Sequence, residues 1–77
     1  MRLIDYDVLS YIKDEMLSDP SVDAQFIYMC TGLAERDLEL YHFLNEWMKS
    51  SDKEKDNIEL FITERVNFLT SVEDLFV

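Results

Sequence analysis

The chain has 77 residues, 48% of them hydrophobic, with 17 acidic against 7 basic side chains and a net charge of −10. A chain this short makes a single domain, residues 1–77, and buries only about 60% of its unfolded surface, so its stability is modest unless a partner or a second copy adds to it. The apolar content excludes a disordered acidic tail. The charge is spread along the chain, with 6 acids and 2 bases in residues 1–34 and 11 and 5 in residues 35–77, and it disfavours nucleic acid or an anionic membrane as a direct partner.

Apolar spacing is helical from the start. Val8, Ile12 and Met16 recur every four residues with Leu9 and Leu17 alongside, and Asp5 or Asp7 is placed to cap the first helix. "SDP" at 18–20 separates it from the second, with Asp19 as cap and Pro20 at the first helical position. The second helix carries Val22, Phe26, Met29, Cys30 and Leu33 on one stripe, and Gly32 is its expected left-handed stop.

The third helix is predicted from about Leu33 to Lys49. Its apolar residues Leu33, Ala34, Leu40, Tyr41, Phe43, Leu44, Trp47 and Met48 sweep roughly 180° of the wheel, with Leu38 just beyond, against about 100° for an ordinary surface helix. Such a helix is either central to the bundle or buries a second side against a partner. A turn in "SSDKEKD" follows, with Ser51 and Glu54 in the form of a capping box.

The fourth helix is predicted from Asp52 almost to Val77. Ile58, Phe61, Ile62, Val66, Phe68, Leu69, Val72, Leu75 and Phe76 form its apolar arc, Leu60 falls outside it, and a Thr70–Glu73 pattern allows a break near 70. The expected fold is an all-α antiparallel bundle of about four helices, the last two a long hairpin. Asp37 and Arg65 interrupt the apolar arcs, each fourteen residues from Ser51, so a partly buried Asp37–Arg65 ion pair is expected. The alternative has Arg65 snorkelling to water and Asp37 exposed in a first turn.

Chemistry has little to work with. Glu39-x-x-His42 has the form of half a di-iron unit, but that site needs two such units and two further inward glutamates, and the chain has one histidine. His42 falls on the polar side with Glu35, Asn45, Glu46 and Lys49. Cys30 lies on an apolar stripe, where a buried thiol is the default. Being the only cysteine, it allows no internal disulfide and suggests a reducing, cytoplasmic setting. No stretch approaches a transmembrane span, and "MRLIDYD" has no apolar leader region. No Gly-rich phosphate loop, zinc spacing or basic stripe is present. No catalytic residue, metal or cofactor is expected, and the chain is read as no enzyme.

What remains is a binding surface for a protein partner. One edge of the third helix combines Arg36, Leu40, Phe43 and Trp47, types enriched at interface hot spots, with Glu39 and Glu46 around it. The alternative is that Phe43 and Trp47 fill the core. The turn adds Asp52, Glu54, Asp56 and Glu59, diluted by Lys53 and Lys55, as carboxylates able to imitate phosphate charge. Small size and high acidity resemble, at the level of class, phage-encoded inhibitors of host defence or polymerase proteins; no motif carries that resemblance. The expected function is a small acidic inhibitor or regulator covering a basic, nucleic-acid-handling protein. The other expectation is a homodimeric structural or adaptor protein using the aromatic edge and the C-terminal tail, Leu75, Phe76 and Val77.

Overall fold

A computed structural model describes the backbone of residues 4–75 and the side-chain surroundings of residues 4–72. Four helices make up the fold, α1 (Tyr6–Leu17), α2 (Ala24–Ala34), α3 (Leu38–Lys49) and α4 (Asp52–Leu75), with no strand among the described residues. Helix α4, 24 residues at 1.5 Å rise, is about 36 Å long and sets the 37 Å long dimension of the molecule. No helix among the described residues is long and apolar enough to cross a membrane. Phe76 and Val77 of the expected C-terminal tail lie outside the described residues.

Each helix starts on an aspartate or at a serine. Asp5 caps α1, its Oδ1 accepting from the backbone amides of Asp7 (3.0 Å) and Val8 (3.2 Å). Helix α2 begins at Ala24 under Asp23, four residues later than the Pro20 start expected from "SDP". Asp19 closes a turn instead: its Oδ1 accepts from the Ser21 amide (2.9 Å) and hydroxyl (2.7 Å), and these bonds hold its carboxyl below the ordinary range. A side chain committed to Ser21 leaves capping to the next aspartate.

Gly32 does not end α2. The helix continues to Ala34, with no left-handed residue among those described, because Leu33 and Ala34 bury apolar surface beyond the glycine. A Cβ built at Gly32 would meet nothing within 4 Å, so neither conformation nor packing within the chain calls for glycine there. Against alanine it costs a helix interior about 1 kcal/mol.

The break between α2 and α3 falls at 35–37, later than the Leu33 start expected for the third helix. Asp37 stands outside α3 as its extended N-cap, with its Oδ2 accepting from the Leu40 amide at 3.0 Å. At the next turn the Ser51 carbonyl accepts from the Glu54 and Lys55 amides, both at 3.0 Å. The Ser51 hydroxyl meets the Glu54 carboxylate (3.3 Å), so the reciprocal backbone bonds of a capping box are not made. Thr70 does not break α4, because its hydroxyl bonds back to the Val66 (3.0 Å) and Asn67 (3.1 Å) carbonyls within the helix.

The core joins Leu9, Ile12 and Met16 of α1, Ile27, Cys30 and Ala34 of α2, Leu40, Tyr41, Leu44 and Trp47 of α3, and Ile62 and Val66 of α4. The hairpin is unequal, since α3 is half the length of α4 and begins level with Arg65. Beyond that level α2 takes over, bringing Leu33 beside Leu69 and Val72. Thr31 is the buried polar residue of this core, and its hydroxyl donates to the Ile27 carbonyl at 2.7 Å. Trp47 is the largest member of the core, only 2% exposed. Trp47→Ala should therefore remove about 3–5 kcal/mol, a large part of what a domain of this size holds, as a shift of the denaturant midpoint; a shift below about 1 kcal/mol would place the indole outside the core.

Candidate functional site

The hairpin is fastened at two levels, and the fastenings decide which side chains remain outside. Near the turn, the Trp47 indole Nε1–H donates to Glu59 Oε1 at 3.0 Å, and the Lys55 ammonium lies 4.3 Å from the centre of the Trp47 ring. Lys55 and Glu59 stand one turn apart on α4, so one helix face supplies both the cation over the ring and the acceptor for its edge. The half-buried Glu59 is thereby committed within the chain.

At the far level Arg65 binds two carboxylates. Its Nε donates to Asp37 Oδ2 and its Nη2 to Asp37 Oδ1, both at 2.8 Å, while Nη1 lies 3.0 Å from Glu39 Oε2. The Asp37 side chain is 17% exposed and that of Arg65 25%. The hydrogen bonds from the guanidinium, helped by the Leu40 amide, hold the Asp37 carboxyl below its ordinary range despite partial desolvation, and the same bonds push Arg65 up. One aspartate thus caps α3 and receives a bidentate arginine from α4.

An aromatic stripe begins between these levels and runs past Arg65. Phe61, Arg65 and Phe68 stand at i, i+4 and i+7, one face of α4. Phe61 stacks on the half-buried Phe43 of α3, with centroids 5.9 Å apart and planes at 25°, and the Arg65 guanidinium sits 5.1 Å from the centre of the Phe68 ring. Phe61 is 54% and Phe68 55% exposed, and with Phe43, Glu39, Glu64 and Arg65 they line an open groove along the hairpin. Adjacent exposed phenylalanines are unlike the scattered single apolar residues that any surface carries.

This arrangement corrects the surface expected on α3. Leu40 (0% exposed) and Trp47 belong to the core, because α1, α2 and α4 all pack around the helix that carries them. Phe43 alone of that apolar set reaches the outer edge. Arg36 is exposed, but beside Leu33, Asp37, Leu69 and Val72 rather than on the aromatic stripe. Glu39 borders the stripe and is tied to Arg65, whereas Glu46 is exposed and lines no part of it. Asp52, Glu54 and Asp56 are exposed in the first turns of α4. Phe61 and Phe68 went unread as surface because they sit in an apolar arc; its width was the available signal, since one edge of so broad an arc must lie outside.

The reactive residues are placed apart from the groove. His42 is exposed, its ring 5.9 Å from that of Tyr41. Cys30 is fully buried, its thiol pushed up to about 12 by desolvation and its S–H directed at the Ile27 carbonyl, which keeps it from acting as a thiolate. Among the described residues no three metal-binding side chains converge. In comparisons with protein-family models, with curated proteins and with solved structures, the chain matches none.

The pair can be measured apart from the cap, because Asn at position 37 keeps an oxygen for the Leu40 amide. A double-mutant cycle of Asp37→Asn and Arg65→Met should give a coupling of about 1–2 kcal/mol at pH 7, and additivity would contradict the pair. The folded-state carboxyl titrates below its unfolded value, so this stabilisation is complete at neutral pH and is lost as pH falls from the ordinary value of 3.8 through the lowered one. The coupling should therefore disappear in acid.

Proposed function

We propose that the chain is a non-enzymatic protein-binding module, a small acidic inhibitor or regulator that covers a basic, nucleic-acid-handling surface of its target. The observation that carries this reading is the stripe of Phe43, Phe61 and Phe68, bordered by Glu39 and Glu64 in a chain of net charge −10. Exposed aromatic rings on a rigid helix offer anchors at little cost in ordering, and aromatic anchors dominate binding energy at most interfaces. The surrounding carboxylates do a different job: a field of one sign speeds encounter with a basic surface and disfavours acidic partners.

Further carboxylates stand at the hairpin tip, of which Glu54, seven residues before Phe61, shares the face of the stripe. Asp52, Glu54 and Asp56 are exposed at the start of α4, with Lys53 and Lys55 between them. A protein site built for phosphates attracts any rigid array of negative charge, which is why a nucleic-acid-handling protein is the favoured class of target. The buried, proton-retaining thiol of Cys30 supports a binding role over a nucleophilic one.

Affinity capture from the source cell or its host followed by mass spectrometry identifies the target, and titration calorimetry then tests the mode of binding. Affinity should fall steeply between 50 and 300 mM salt, and Phe61→Ala or Phe68→Ala should each weaken binding by about tenfold or more without lowering the melting temperature. Charge reversal of Asp52, Glu54 and Asp56 together should reduce the salt dependence. Binding indifferent to salt and to both phenylalanines would overturn the reading.

A further inference from the structure

Leu60, Phe61 and Phe68 are large apolar side chains of α4 left outside the core, and Leu60 is 64% exposed. At about 100° per residue, Glu64 falls between Leu60 on one side and Phe61 and Phe68 on the other, one turn from each of them. A carboxylate therefore stands in the middle of an apolar patch. Glu64 is exposed and lines the groove with both phenylalanines, and among the described residues its carboxylate is paired with no cation. Arg65, the cation of the same groove, does not serve it. Its Nε and Nη2 go to Asp37 and its Nη1 to Glu39, so the guanidinium is committed across the hairpin.

We propose that Glu64 is the specificity-determining contact of this surface, and that the group it takes from a protein partner is an arginine flanked by apolar side chains. The proposal rests on the reading of the hairpin stripe as a protein-binding surface. It adds to the long-range field of the chain one charge that has to be paired at contact. Apolar side chains seated on Leu60, Phe61 and Phe68 exclude water from the carboxylate between them. A carboxylate stripped of water is strongly destabilising unless a cation with hydrogen-bond donors replaces that water. Arginine supplies both, since its planar fork bonds a carboxylate through two N–H groups and its flat face packs on aromatic rings. The chain builds a similar arrangement within itself. There the Arg65 guanidinium lies 5.1 Å from the centre of the Phe68 ring, with its Nη1 3.0 Å from Glu39 Oε2.

Other occupants bring the wrong charge to the same place. Phosphates of a nucleic acid or of an anionic membrane meet Glu64 with like charge. A second copy, related by a twofold axis through the middle of the patch, lays Glu64 on Glu64, with Arg65 of both copies already committed.

A phage-displayed library of random 12-residue peptides, selected on the full chain and counter-selected on the Phe61→Ser, Phe68→Ser double variant, tests this. The enriched peptides should carry an arginine among apolar residues. Measured by surface plasmon resonance, their affinity should fall about tenfold or more on Glu64→Gln, through faster dissociation and at an unchanged melting temperature of the chain. Exchange of the peptide arginine for lysine should also weaken binding, and equal affinity overturns the assignment of a guanidinium. Peptides that need both phenylalanines but carry no base, or that ignore Glu64→Gln, overturn the proposal and leave the protein-binding surface standing. A loss confined to the association rate makes Glu64 a steering charge and overturns it as well. If no enriched peptide depends on Phe61 and Phe68, the stripe is not a docking surface, and the proposal falls together with the reading on which it rests.

Discussion

Asp37 is where the fold is decided. Its carboxylate ends the linker after α2 by capping the Leu40 amide, and the same group receives Arg65 from the middle of α4. Without the cap α3 has no defined start; without the arginine, the level at which α4 passes that start is left to apolar packing alone. Coiled-coil-like packing tolerates a slide of one turn far better than it tolerates an unpaired charge. A pair with the observed partial exposure contributes modestly to stability, about 1–2 kcal/mol, and its larger effect is on register. Trp47 with Glu59 and Lys55 fixes the other level, so the hairpin is held at two points some ten residues apart on α3.

That register sets the surface. With Arg65 drawn toward Asp37 and Glu39, the side of α4 bearing Phe61 and Phe68 turns along the flank of α3, and Phe43 is the residue of α3 that meets it. A domain of 77 residues has a small interior, and its core is already filled by a dozen apolar side chains. Apolar residues are left over outside it, among them phenylalanines along the hairpin and tyrosines along α1 and α2. The two sets differ in chemistry as well as position. The phenylalanines are bordered by Glu39 and Glu64, whereas the tyrosines have one charge of each sign, Lys13 and Glu35, beside them.

The helices were legible in the sequence because four-residue apolar spacing has no competing reading over such lengths. The pairing of Asp37 with Arg65 was legible for a related reason: two charges in apolar arcs, equidistant from a turn, face each other in any antiparallel hairpin. Boundaries were harder where two signals competed. Asp19 and Asp23 are both capable caps, and only the engagement of Asp19 with Ser21 leaves the start of α2 to Asp23. Gly32 reads as a stop, yet burial of Ala34 carries the helix past it. The exposed aromatic edge was expected on α3 and stands mainly on α4, because a helical wheel gives the width of an apolar arc and not which end of it a neighbour covers. Trp47 and Phe61 stood on equal terms in sequence, and tertiary packing separated them. Glu59 is a similar case, an acid in an acidic turn whose partner, an indole edge, is invisible to charge counting.

The most direct test of this account is the titration of the Asp37 carboxyl carbon by NMR, in the parent chain and in Arg65→Met. The account requires the parent carboxyl to titrate below the ordinary value of 3.8, and to move back toward it when the guanidinium is removed while α3 stays folded. An Asp37 that titrates in the ordinary range in the parent chain, or that does not respond to loss of Arg65, would mean that the aspartate on which the hairpin register depends is not paired, and the placement of the aromatic face would lose its physical basis.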